Sequence, residues 1–253
     1  MSDDFKVKNV SSDRSVHEIE HGRMLAESET EILWGWGTPA GKVRAERRGA
    51  LIISAANITP DHRVLEIGCG TGLFSEMFAQ TGAEIIAVDI SQDLISLAVK
   101  RNISPTKVKF LCQRFEDFIA DKPFDAVIGS SVLHHLDIDS ALNNIERLLK
   151  PGGWLAFAEP NMLNPQVFAE RTFLRDKLGY VSPDETAFVR WLLGKKMTKV
   201  GFTEIKITPF DWLHPYTPSK LINLVFRTGL IIEKIPILRE FSGSLMIRAQ
   251  KSE

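Results

Sequence analysis

The sequence predicts a doubly wound α/β fold on a mostly parallel sheet. Three observations carry the prediction. Short strand-like runs alternate with amphipathic helical runs from Arg63 to Glu159, the first of these runs ends in a glycine-rich turn, and the chain is long and apolar enough to bury a core around such a sheet. With 253 residues, 44% hydrophobic and 25% charged, the composition is that of an ordinary globular protein. A formal charge of -1 supplies no broad attraction for phosphate backbones, so nucleic acid is not the expected partner.

The elements follow in order. Residues 1–30 are polar and weakly patterned, which suits either a loose arm or a peripheral helix. After a loop with Trp34 and Trp36 among glycines, residues 42–56 read as a helix with Arg44, Arg47 and Arg48 on one face. That face could hold a carboxylate or phosphate, or stand in solvent. Strands are predicted at 63–68, 84–89, 107–112, 124–130 and 154–160, with helices after Leu73, after the N-cap Ser91, and over 138–149. Past Glu159 the elements lengthen. Asn164-Pro165 and Ser182-Pro183 each read as a cap followed by a first-turn proline, Ser182 with Glu185 making a capping box, so helices are predicted over 165–178 and 183–199. Strands at 201–210 and 244–250 close the chain.

The domain reading is therefore an arm and lid helix over 1–60, and a main domain over 61–253 with substrate-covering insertions at about 160–200 and 211–243. Cys69 and Cys112 lie in apolar stretches without CxxC spacing or neighbouring histidines, so buried reduced thiols and no metal site are expected. The polar amino terminus and the lack of a long uninterrupted apolar run imply a soluble, cytoplasmic chain.

The strongest motif is VLEIGCGTG, residues 64–72, a strand running into a glycine turn that opens a helix. Glycines let a backbone turn tightly and approach a ligand closely. Dinucleotide enzymes use a related turn spaced GxGxxG, but the position of their third glycine is Leu73 here, which counts against NAD and an oxidoreductase. Glu66, two residues before Gly68, would repel a pyrophosphate and tolerate a cationic ligand.

VLEIGCGTG resembles the first motif of the class I S-adenosylmethionine-dependent methyltransferases, and AVDIS (87–91) is similar to their second. FDAVIGSSVLHHL (124–136) and LLKPGGWLAFAEPN (148–161) resemble their fourth- and fifth-strand motifs. The resemblance covers 63–161, and it implies a Rossmann-like seven-stranded sheet with an antiparallel last strand. It further implies that Glu66, Gly68, Cys69 and Gly70 cradle the methionine half of S-adenosylmethionine, that Asp89 accepts the ribose hydroxyls, and that Ile90 packs on adenine. Backbone near Gly129 and Ser130 would hold the methionine amino group. Many relatives carry an acid after the third strand where this chain has Arg114. Either Glu116 or Asp117 substitutes for it, or the adenine is held by backbone and Phe115 while the two acids open a helix.

The resemblance implies methyl transfer to a small acceptor, with His134, His135 and Glu159 as candidate bases for a hydroxyl and His214 as a fourth outside the motifs. For His134 and His135 the structural reading, the start of a helix, is favoured over catalysis. The aromatic residues Trp34, Trp36, Phe168, Phe173, Trp212, Tyr216 and Phe226 either line an apolar acceptor pocket or pack the insertions, and so much apolar cover favours an aromatic or lipid-like acceptor. The general layout resembles the quinone-biosynthesis O-methyltransferases. A non-catalytic adaptor that keeps the fold is the alternative from another class. Residues 220–238 could make a contact with a membrane surface, kept shallow by Arg227, Glu233 and Lys234.

Overall fold

Strands form where apolar residues run without interruption, because a sheet covered by helices on both faces buries both faces of its strands. The computed structural model describes residues 3–173 and 187–253, with side chains from Ser15 onward. Among the described residues the strands are β1 (Arg63–Ile67), β2 (Glu84–Asp89), β3 (Val108–Cys112), β4 (Phe124–Ser130), β5 (Leu149–Pro160), β6 (Phe202–Phe210) and β7 (Ser244–Lys251). They make a seven-stranded sheet in the order β3-β2-β1-β4-β5-β7-β6, in which β7 runs antiparallel to both β5 and β6 and the other pairs are parallel. This is the predicted architecture, the antiparallel strand included. The KPGG turn lies inside β5, where the register against β4 shifts between Phe124 and Ala126.

The chain leaves β1 toward β2 and β3 on one side, then crosses to β4 on the other, so the strand order reverses between β1 and β4. In open α/β sheets the crevice beyond the strand ends at that reversal is where ligands bind. Gly68 follows β1 and Ser130 ends β4, which places the glycine turn and the VLHHL stretch on either side of it.

The helices are α1 (Asp3–Ala26), α2 (Thr30–Leu33), α3 (Pro39–Ala55), α4 (Leu73–Ala79), α5 (Gln92–Val99), α6 (Ile138–Leu148), α7 (Pro165–Thr172), α8 (Arg190–Val200) and α9 (Ile222–Ile232). Alternate residues of each strand face opposite layers. Val64, Ala126 and Ile128 meet Ile52 of α3, Phe78 of α4 and Ile95 of α5, whereas Leu65, Val127 and Phe157 meet Leu142 and Ile145 of α6 and Met197 of α8. Caps fall where the sequence placed them: the Ser91 Oγ accepts the Leu94 N–H at 3.3 Å, and the Asn164 Oδ1 accepts the N–H groups of Gln166 and Val167. Helix α3 starts earlier than its predicted 42, because Thr38 caps it by accepting the Gly41 N–H at 2.9 Å with Pro39 in the first turn. The 183–199 helix begins at Arg190 among the described residues, and the Ser182–Glu185 capping box lies outside them, as does the end of the predicted 165–178 helix.

Two expectations change and one open reading closes. Of the two readings of residues 1–30, the helix is the one observed, and α1 packs on α5 closely enough that a Cβ at Gly22 would sit 2.6 Å from the Ser91 Oγ. Cys69 is buried, but Cys112 is exposed, because β3 is the sheet's edge strand. The arginine face of α3 does not stand in solvent: Arg44 and Arg47 are taken up by carboxylates of the 211–243 insertion, and Arg48 is buried at the cavity wall. Arg47 makes a two-pronged pair with Glu233 at 2.8 and 2.5 Å and lies over the rings of Phe210 and Phe226. Arg44 pairs with Asp211 at 2.8 Å, and Arg48 is 3% exposed.

The paired forks hold an insertion whose own apolar cluster is small, only Ala40, Leu213 and Ile222 being buried at its centre. Arg47→Met is expected to cost about 1–3 kcal/mol in urea denaturation, the usual loss for a charged hydrogen-bonded group. It should also expose the 211–243 segment to limited proteolysis before global unfolding.

Candidate active site

The glycine turn is a backbone requirement before it is a binding motif. Gly68 and Gly70 have φ of 66° and 52°, which side chains rarely adopt, and a Cβ on Gly68 would lie 2.4 Å from the Val132 Cγ2. The N–H groups of Gly68 and Cys69 both donate to the Val88 carbonyl, at 2.8 and 3.1 Å. Asp89 braces the turn from the next strand: its Oδ2 accepts the Gly70 N–H at 2.8 Å and its Oδ1 the Ser91 N–H at 2.9 Å. Burial pushes this carboxyl up from its ordinary range, against the pull of those two bonds. Asp89 therefore shares the structural work near Ser91 that the sequence assigned to Ser91 alone, yet each carboxylate oxygen keeps a second lone pair for a ligand.

Glu66 has a different place from the one its motif suggests. It is 2% exposed, accepts the Ser75 Oγ–H at 2.6 Å beneath α4, and does not reach the cavity wall. Burial pushes its carboxyl up to about 8, so at neutral pH it is largely uncharged. The electrostatic argument for a cationic ligand cannot rest on it.

Across the strand reversal, β4 ends in a turn built on Glu159. This carboxylate is fully buried at the end of β5. Its Oε1 accepts the N–H groups of Val132 and Leu133, both at 2.9 Å, and its Oε2 lies 2.7 Å from the His134 Nδ1. Burial works to raise the Glu159 carboxyl, but the bond from His134 and the two backbone N–H groups outweigh it and hold it below its usual range. His134 is lowered to about 4, mainly by burial and then by the adjacent His135. The pair is thus a carboxylate and a neutral imidazole, with the proton on Nδ1 and Nε2 as the acceptor nitrogen. Ser131, just before it, has φ of 56°, the kind of strained residue that collects at functional turns.

Both halves open into one cavity of about 1190 Å³, more than the roughly 300–1,000 Å³ of a site for one small ligand. Of the residues singled out from the sequence, Gly68, Cys69, Gly70, Asp89 and Ile90 line one side, with Phe115 and Glu116 beside them; Ser130, His134 and His135 line the other. Glu66, Gly129 and Glu159 stand behind the wall. Gly129 has a packing reason of its own, since a Cβ there would lie 2.6 Å from the Phe157 Cε1 and 2.8 Å from the Ile67 carbonyl oxygen. Trp34, Trp36, Trp212, Tyr216 and His214 face the cavity, whereas Phe226 packs the insertion and Phe168 and Phe173 pair with each other away from it.

Contacts from distant segments complete the wall, and of these the sequence signalled Arg48 but not Glu18 or Glu31. The Thr71 Oγ donates to Glu31 at 3.0 Å and the Thr71 carbonyl accepts from Arg101 at 2.7 Å, while Arg101 also pairs with Glu31 and Glu76, so α2 is tied to the glycine turn. From α1, Glu18 reaches the His135 Nδ1 at 3.1 Å. Arg48 lines the wall with its guanidinium between Trp36 and Phe210, bonded to the hydroxyls of Ser130, Ser131 and Ser244 and to the Ala158 carbonyl. All of these acceptors are uncharged, and burial lowers Arg48 to about 10, where it is still a cation.

Residues 65–157, which carry the glycine turn, Asp89 and His134 but stop short of Glu159, match the family described as Methyltransferase domain. Over that span the chain is similar to the methyltransferase family. A ubiquinone biosynthesis O-methyltransferase of Xanthomonas campestris pv. campestris (strain B100) is 36% identical over 121 residues, 46% of this chain and 50% of that protein. One of Xylella fastidiosa (strain 9a5c) is 39% identical over 97 residues, 37% of this chain and 39% of that protein. The chain thus spans half or less of the length of these curated relatives. Among solved structures, the N-methyltransferase NodS from Bradyrhizobium japonicum WM9, in complex with S-adenosyl-L-homocysteine, shares the fold with a TM-score of 0.64 at 18% identity, over 94% of this chain and all of that one. A possible histamine N-methyltransferase from Thermotoga maritima aligns with a TM-score of 0.63 at 20% identity, over 92% of this chain and 100% of that one.

Glu66 supplies a test by pH. Its carboxyl is raised from 4.5 to about 8 in the folded state, so between those values the folded chain holds a proton that the unfolded chain has lost. Stability from this group is therefore present at low pH and lost as pH rises. Glu66→Gln should match the wild type in urea denaturation near the lower value and exceed it by on the order of 1–3 kcal/mol above the upper one.

Proposed function

We propose that this chain transfers the methyl group of S-adenosylmethionine to a hydroxyl of a small aromatic or lipid-like acceptor, with His134 receiving the hydroxyl proton. One observation carries the reading: the glycine turn with Asp89 and the His134–Glu159 pair open into a single cavity with room for two molecules. The name of the relatives from Xanthomonas and Xylella, ubiquinone biosynthesis O-methyltransferase, supports an oxygen acceptor. Residues 1–60 act in this reading as a cover, and 61–253 as the catalytic domain with its acceptor-side insertions.

The donor set fits the cofactor. Asp89 has lone pairs to spare for the two ribose hydroxyls, and the turn at Gly68–Gly70 brings bare backbone to the wall. Phe115 and Ile90 supply apolar surface for the adenine, with Glu116 at its edge. Arg48, a buried cation on the cavity wall whose direct hydrogen-bond acceptors are all uncharged, suits the carboxylate of the amino-acid half. When bound, the cofactor supplies an electrophilic methyl on a cationic sulfur that leaves as a neutral thioether.

The protein's own share is to orient, to dry the site and to take a proton. Alignment alone is worth about 7–11 kcal/mol in well-ordered systems. The Trp34, Trp36 and Trp212 side of the cavity excludes water and gives an aromatic or prenyl-like acceptor apolar surface. The His134 Nε2 accepts the hydroxyl proton, and the imidazolium that forms is stabilised by Glu159 at 2.7 Å, buried with it.

Calorimetry with S-adenosylmethionine should show binding that Asp89→Ala weakens by about 1–3 kcal/mol. His134→Ala should leave that binding nearly unchanged and lower kcat on a phenolic acceptor by about 10²–10⁴-fold. The working form of His134 is neutral, so activity is lost as pH falls through its pKa. Because that pKa is lowered from 6.5 to about 4, the acid limb of kcat/KM should lie well below 6.5.

A further inference from the structure

Helix α9 is packed on one side only. Its inner face sets Ile222, Val225 and Phe226 against Ala40 and Leu213, and Gly229 against Trp212, where a Cβ would lie 2.9 Å from the Trp212 Cβ. Its outer face carries Leu224, Arg227, Thr228 and Ile231, placed on one stripe by the helical period, and all of them are exposed; Lys234 and Ile235, in the turn just past its end, are exposed as well. The 3-10 turn that follows, Leu238–Phe241, continues the apolar surface. Leu224 is 64% exposed, Ile231 62% and Ile237 75%, values at which large aliphatic side chains in a row stand out from the scattered exposure of an ordinary surface.

The charge on this face has one sign. Lys220, Arg227 and Lys234 are exposed, while the acids of the segment are turned inward and neutralised: Glu233 is held by Arg47, and Glu240 by Arg190 at 2.7 Å and by Arg239. The shallow limit that the sequence set with Arg227, Glu233 and Lys234 thus loses its acidic member. The face also adjoins the cavity. The side-chain amide of Asn164, a wall residue at the start of α7, donates to the Phe241 carbonyl at 2.8 Å, and the wall residue Tyr216 is 65% exposed nearby in sequence.

We propose that the outer face of α9 and the 3-10 turn dock the chain onto an anionic lipid bilayer, with the aliphatic row entering the headgroup boundary and Lys220, Arg227 and Lys234 against the lipid charges. An apolar stripe with cations and no free acid matches such a surface in both its parts. No described helix is long and apolar enough to cross a membrane, and the contact needs none. The docking stands on α9 alone and does not depend on which acceptor the site takes; it does put the cavity next to the place where a lipid-like acceptor would be found.

The test is co-sedimentation of the full chain with vesicles of phosphatidylcholine alone and of phosphatidylcholine mixed with phosphatidylglycerol. Binding is expected at low salt to the mixed vesicles, reduced at least tenfold for the neutral ones and by raised salt. Leu224→Glu with Ile231→Glu, and separately Arg227→Glu with Lys234→Glu, should each reduce it at least tenfold while S-adenosylmethionine binding and the thermal transition stay as in the wild type. Those two controls separate a lost surface from a lost fold. No binding to mixed vesicles at low salt, equal binding by wild type and variants, or self-association in sedimentation velocity that the same substitutions abolish would each overturn the proposal.

Discussion

The Glu159 carboxylate is the constraint on which both halves of the site depend. It sits at the end of β5 with no solvent exposure and takes three donors, the N–H groups of Val132 and Leu133 and the His134 ring. A buried charge is tolerable only when its lone pairs are filled, and here the filling fixes a turn. Val132 is thereby pressed against Gly68, where no side chain fits, so the same anchor that presents His134 also sets the back of the glycine turn. Asp89 does the corresponding work from β2, holding Gly70 and Ser91. The two carboxylates stand on opposite sides of the strand reversal, and the cavity lies between them.

Around this rigid floor the walls come from segments that have no role in the sheet. Arg44 and Arg47 fasten the 211–243 insertion through Asp211 and Glu233, and Arg101 fastens α2 through Glu31 and Thr71. These walls are held chiefly by charged forks, with few apolar contacts of their own. Such contacts give position at modest net stability, which suits segments that must define a pocket without closing it. Arg48 belongs to the same helix but differs in kind, being deep, cationic and surrounded by uncharged acceptors.

Much of the fold was legible because its signals are local. Alternating strand and helix periods, the caps at Ser91 and Asn164 and the glycine turn are all set by neighbours in sequence, and the structure has them. What depended on distant packing was not. The spacing of Arg44, Arg47 and Arg48 showed that they share a helix face but could not show that an insertion more than a hundred and fifty residues later covers it. Cys112 looked buried from its apolar neighbours, yet β3 proved to be an edge. Glu66 and Glu159 have the same residue type at the ends of neighbouring motifs, and only their partners separate them: one hydroxyl leaves Glu66 raised to about 8, whereas three N–H donors keep Glu159 below its usual range.

The account turns on burial keeping His134 neutral while Glu159 fixes its proton on Nδ1, and long-range nitrogen-15 NMR of the histidine rings measures this directly without any acceptor. The spectrum at neutral pH should show His134 as the Nδ1–H tautomer, unchanged on moderate acidification, and Glu159→Gln should move the proton to Nε2 because the new amide donates where the carboxylate accepted. A His134 ring that is already an imidazolium at neutral pH, or that carries its proton on Nε2 in the wild type, would contradict the account and remove His134 as the proton acceptor.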